Sequence, residues 1–138
     1  MKKQRDPTSL TLGLQLDLGP GAARGELEEL TGHLRQELLE LDVDSVEPFQ
    51  MRRAPAAAKG LGLAEAGGLV VKLGGSALRK VVEVVRTWLE RDANRSAKLV
   101  IGGNSIELKG LSAAQQQLLV DAWIEQALHG AAAGKSNG

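Results

Sequence analysis

Cysteine and tyrosine are missing from this 138-residue chain, and phenylalanine occurs only once. Without cysteine there can be no disulfide and no thiolate metal ligand, and the chain is expected in a reducing cytoplasm. With one Phe and two Trp for the whole chain, the core must be built from Leu, Val, Ile and Ala. No sign of charge dominates, since 17 basic residues balance 17 acidic ones. That balance excludes the broad positive field that draws a protein to nucleic acid or anionic lipid. The stacking aromatics used to bind single strands are scarce as well. Long apolar runs are also lacking: no window approaches the roughly 18 apolar residues of a membrane-spanning helix. The opening "MKKQRDPTSLTLGLQLDLG" begins with basic residues, but its leucines alternate with polar residues and do not form the apolar block of a signal peptide.

A chain of this length has room for one domain, which buries roughly two-thirds of its unfolded surface. Its clearest pattern is "LTLGLQLDL". Leu10, Leu12, Leu14, Leu16 and Leu18 alternate with Thr11, Gly13, Gln15 and Asp17, the period of a half-buried strand. In "ELEELTGHLRQELLELD", Leu27, Leu30, Leu34, Leu38 and Leu41 recur at spacings of three and four, and the segment reads as an amphipathic helix. Glu26, Glu28 and Glu29 favour the positive end of that helix dipole. "VDSVEPFQ" reads as a short strand stopped by Pro48, which has no N–H to give to a ladder.

Residues 52–62, rich in Pro, Ala and Gly, read as a flexible joint. The following stretch, 63–75, is ambiguous, and its apolar positions Leu63, Leu69, Val70 and Leu73 are read as a short helix. "SALRKVVEVVRTWLERD" is a helix with Ser76 as its N-cap and Leu78, Val81, Val82, Val85, Trp88 and Leu89 on one side. "AKLVIGGNSIELKG" reads as a hairpin turning at Gly102-Gly103-Asn104. Ser112 caps a last helix, with Leu118, Leu119, Trp123, Ile124 and Leu128 directed inward. These readings predict a small α+β domain of about four strands, in the order β-α-β, helix, β-hairpin, helix, with the helices packed on one sheet. The domain spans 10–129, between a flexible N-terminus over 1–9 and a disordered tail over 130–138.

Motifs of chemistry are few. Gly134-Lys135-Ser136 matches the end of a phosphate-binding P-loop, but that motif needs a glycine where His129 stands and a strand ahead of it. "LGGSALRK" puts two glycines before a helix start, which helix capping already explains. His33 and His129 have no metal-ligand spacing, and no Gly-x-Ser-x-Gly elbow occurs. Glu28 and Glu29 are adjacent and so do not face each other on a helix. No catalytic, cofactor or metal residue is assigned.

Charge is distributed unevenly. Between Glu26 and Glu47 eight acidic residues stand against one basic, and between Arg52 and Lys98 ten basic residues stand against four acidic. Such segregation either marks two solvated faces or orients a partner. Trp88 and Trp123 sit at core spacings, yet a partly exposed Trp beside basic residues makes a good interface anchor. Trp88, Arg79, Arg86 and Trp123 are therefore the candidate partner surface.

The order of elements, with "VVEVVRTWLER" and "GNSIELKGLS" as its most specific segments, resembles the effector-associated constant component family, first type, of bacterial conflict systems. The resemblance runs from about Leu10 to Leu128. It implies a non-catalytic α+β adaptor that works beside a caspase-like or trypsin-like peptidase effector in systems that include NTPases, or that associates with itself. It brings no site residues, since the family has no catalytic motif to carry over. The glycine-broken "GGLVVKLGG" departs from the more continuous helix expected at that place. The alternative reading is a small-molecule-binding domain or an enzyme of unrecognised type.

Overall fold

The computed structural model describes residues 9–54, 58, 60–109 and 113–136, without the side chains of residues 24, 113–115 and 131–136. The chain is an α+β domain built on one five-stranded antiparallel sheet. Its strands are β1 (Ser9–Asp17), β2 (Ser45–Pro48), β3 (Gly68–Gly74), β4 (Ser96–Ile101) and β5 (Asn104–Lys109), in the order β2-β3-β1-β4-β5. Three long helices, α1 (Arg24–Leu39), α2 (Leu78–Glu90) and α3 (Ala113–Ser136), complete the described residues.

The alternation in β1 does what a period of two requires. Leu10, Leu12, Leu14 and Leu16 enter the main core, and β1 occupies the middle of the sheet between β3 and β4. Leu69, Val71 and Leu73 of β3 join them, as do Ala97, Leu99 and Ile101 of β4. From the helices come Leu34 and Leu38 of α1, the whole apolar side of α2, and Val120, Trp123, Ile124 and Ala127 of α3. The helices thus cover one face of the sheet.

The opposite face carries a smaller core. Phe49, Ala58, Leu61 and Leu63 pack on Val70 and Val100. Gly13 of β1 lies beneath this cover, where a Cβ would stand 2.9 Å from Leu61 Cδ1. Gln15 fastens the segment: its amide donates to Ala66 O at 2.8 Å and accepts from Ala64 N at 2.7 Å. The supposed joint over 52–62 is therefore in part a packed strap; residues 55–57 and 59 lie outside the described ones.

Several expectations need correction. The sheet has five strands where about four were expected, because 63–75 supplies β3 and no helix. β3 is buried on both faces, so Leu69, Val70 and Val71 all read as apolar and no alternation survives in the sequence. Ser76 is not the N-cap of α2. It lies inside a 3₁₀ turn, Gly75–Ala77, that leads into the helix. Leu118 and Leu119 point outward, because Val120, Trp123, Ile124 and Ala127 set the inward phase of α3. Helix α3 runs past Gly130 as far as Ser136; alanines are the best helix formers. The N-terminal stretch before Ser9, and Ser112 as a cap, lie outside the described residues.

Candidate functional site

The four residues of the expected partner surface serve the fold. Trp88 is 1% exposed and Trp123 is 5% exposed, so neither ring is offered to a partner. Both lie on the buried stripes of their helices, with Trp88 three residues on from Val85 and Trp123 three on from Val120. The Arg95 guanidinium lies 4.5 Å from the centroid of the Trp88 ring, and its Nη1 donates to Trp88 O at 2.8 Å. This cation over an aromatic face seals the end of α2. Trp123 Nε1 is buried without a hydrogen-bond partner among the described residues.

Arg79 and Arg86 clasp α3 to α2. Arg79 Nη1 donates to Asp121 Oδ1 at 3.0 Å, and Gln117 Nε2 donates to the same oxygen at 2.9 Å. Arg86 Nη1 donates to Gln117 Oε1. Arg79 and Arg86 are two turns apart, and Gln117 and Asp121 one turn apart, so both pairs line a single seam. Other charges are also used within the chain. Arg91 makes a paired contact with Glu37 at 3.1 and 3.4 Å, and Arg35 donates to Val46 O at 2.6 Å with Glu47 at 3.9 Å. The basic and acidic segments thus meet partly within one molecule.

Beside the seam, the surface of α3 is apolar. Leu118 is 79% exposed and Leu119 is 62% exposed, with the exposed Ala122 one turn beyond Leu118. Adjacent leucines at such exposure gain little for the fold, and they are the most exposed large apolar side chains among the described residues. Sequence reasoning missed them by assigning them inward. Three adjacent apolar residues, Leu118, Leu119 and Val120, gave the sequence no signal of which of them faces inward.

Clefts are modest. One of about 340 Å³ lies between α1 and the start of β3, lined by Thr31, Arg35, Phe49, Glu65 and Gly68 among others. Its polar side chains are committed to the chain itself: Thr31 Oγ1 donates to Leu27 O, Arg35 holds Val46 O, and Glu65 accepts from Met51 N. His33 and His129 are both exposed. Among the described residues, no group of three or more His, Asp or Glu side chains is placed to hold a metal ion. Nor is any helix among them long and apolar enough to cross a membrane. Comparison of the chain with protein-family models, with curated proteins and with solved structures finds no match.

Proposed function

We propose that this chain is a non-catalytic interaction component of a bacterial conflict system, an adaptor that couples to a peptidase-type effector. The observation that carries the reading is the pair Leu118 and Leu119, exposed side by side on α3. Burial of one leucine side chain contributes about 1.5–3 kcal/mol, so two adjacent leucines are a sufficient centre for a protein contact. Val120, Trp123, Ile124 and Ala127 anchor α3 in the main core, and the polar seam of Arg79, Arg86, Gln117 and Asp121 aligns it along α2. The leucines are therefore presented on a fixed platform, which lowers the ordering cost of binding. The resemblance in element order supplies the class of system and of effector. The contact surface moves from the two Trp to the outer side of α3.

The test is co-purification of the tagged chain with the products of its neighbouring genes, native and as Leu118→Asp. The native chain is expected to retain a peptidase, and the folded variant to lose it. Retention of nothing by the native chain, or equal retention by the variant, would end this assignment.

A further inference from the structure

The two edges of the sheet are finished differently. At the β2 edge, Val46 and Pro48 carry the outward backbone groups. Val46 O is taken by Arg35 Nε, and Pro48 has no N–H. A four-residue strand with a proline and a covering arginine is a closed edge.

The β5 edge is open. The hairpin turns through Gly102-Gly103, so Ile101 and Asn104 form a hydrogen-bonded pair, and the alternation places Ile106 and Leu108 toward β4 as well. Ser105, Glu107 and Lys109 then direct their N–H and C=O groups away from the sheet. At Lys109 these groups are occupied: Gln116 Nε2 donates to Lys109 O at 2.7 Å, and Lys109 N donates to Gln116 Oε1 at 3.2 Å. The Gln116 amide thus stands in for one residue of a missing strand. At Ser105 and Glu107 no partner is present among the described residues.

We propose that β5 pairs antiparallel with β5 of a second copy of this chain about a two-fold axis at Ile106, giving a continuous ten-stranded sheet. The strand is self-complementary in this register. Ser105 and Glu107 exchange both backbone hydrogen bonds with Glu107 and Ser105 of the other copy, four bonds in all. Ile106, partly buried in the monomer, meets its own copy across the axis. The competing register places Glu107 opposite Glu107 and asks Lys109 to give up Gln116; like charge and the existing cap both oppose it. Because the β2 edge is closed, assembly stops at two copies. This inference goes beyond the adaptor reading and does not depend on which effector the chain serves.

The chain has no cysteine, so single substitutions report the register cleanly. Across the axis the Ile106 Cα atoms stand about 4.5 Å apart, within the span a disulfide accepts. Under mild oxidation Ile106→Cys is expected to form a covalent dimer, while Glu107→Cys, whose opposite number is Ser105, is not. Sedimentation of the unmodified chain is expected to give about twice its 14.6 kDa mass and no larger species. Glu107→Pro removes an N–H that β4 does not use. It is expected to melt as the unmodified chain does at concentrations where both are monomeric, and to raise the dimer Kd on the order of thirtyfold, through loss of two hydrogen bonds per dimer. A chain that stays monomeric, a Glu107→Cys crosslink faster than that of Ile106→Cys, or species beyond the dimer would overturn the proposal. Should Glu107→Pro fail to fold, the two cysteine variants still decide.

Discussion

At the scale of single residues, two glycines of the sheet carry opposite expectations. A Cβ on Gly68 would lie 2.2 Å from Ala64 O, which is backbone and cannot swing aside. Gly68→Ala is therefore expected to cost about 1–3 kcal/mol, read as a fall in melting temperature. On Gly13 the nearest atom is the end of a flexible leucine, Leu61 Cδ1, so Gly13→Ala should cost less than Gly68→Ala. Equal losses would mean that the strap is as stiff as the backbone. The two tryptophans belong to the core. Trp88→Ala is expected to lose about 3–5 kcal/mol, and chemical denaturation is the measurement that checks it. Trp123→Phe removes a buried N–H that has no partner among the described residues but leaves a smaller ring, and the two effects should offset to within about 1 kcal/mol. The apolar spacing already placed both rings among core positions. Whether either reached the surface depended on the depth of the sheet beneath them, which no local pattern encodes.

At the scale of elements, what could be read from the sequence followed the number of exposed faces. α2 turns one side to solvent, and the second face of β1 carries the small or polar Thr11, Gly13 and Gln15 even where the strap covers it, so their periods of 3.6 and of two stand out in the residues. The hairpin was legible because Gly102 takes a φ of +58°, which glycine adopts freely. β3 was not legible, since cover on both faces erases alternation and its flanking glycines resemble loop. The inward face of α3 was misread because Leu118, Leu119 and Val120 are all apolar, and hydrophobicity alone does not choose a phase among three neighbours. Their exposure leads to a separable expectation. Leu118→Asp should change stability by no more than about 0.5 kcal/mol, as surface substitutions do. The same limited effect applies to Arg79→Ala, whose ion pair with Asp121 lies in solvent at both ends and contributes about 0–1 kcal/mol. Thermal melts of the two variants check both values. A large loss from Leu118→Asp would show that the residue supports the fold and is not free for a partner.

For the whole molecule, the domain is a sheet with two unequal covers. Three helices close one face with the main core, and Phe49, Ala58, Leu61 and Leu63 with the Gln15 bridge close the middle of the other. Thinner cover opens more readily, so the Ala64 amide should exchange with solvent before the central amides of β1, and native-state hydrogen exchange reads that order. The unequal covers also explain why residues 52–62 read as a joint: Pro, Ala and Gly give no period, although their neighbours are buried. Function was less legible than fold. Charge segregation pointed toward a partner, yet Arg35, Arg79 and Arg91 spend part of that charge on pairs within the chain. Leu118 and Leu119 on α3 are the exposed apolar side chains that the adaptor reading takes as its contact. The most direct measurement is therefore co-purification of the native chain and Leu118→Asp with the products of the neighbouring genes. The adaptor reading predicts a peptidase retained by the native chain and lost from a variant that melts at the same temperature. A native chain that retains no peptidase, or a folded variant that retains as much of it, would contradict the reading.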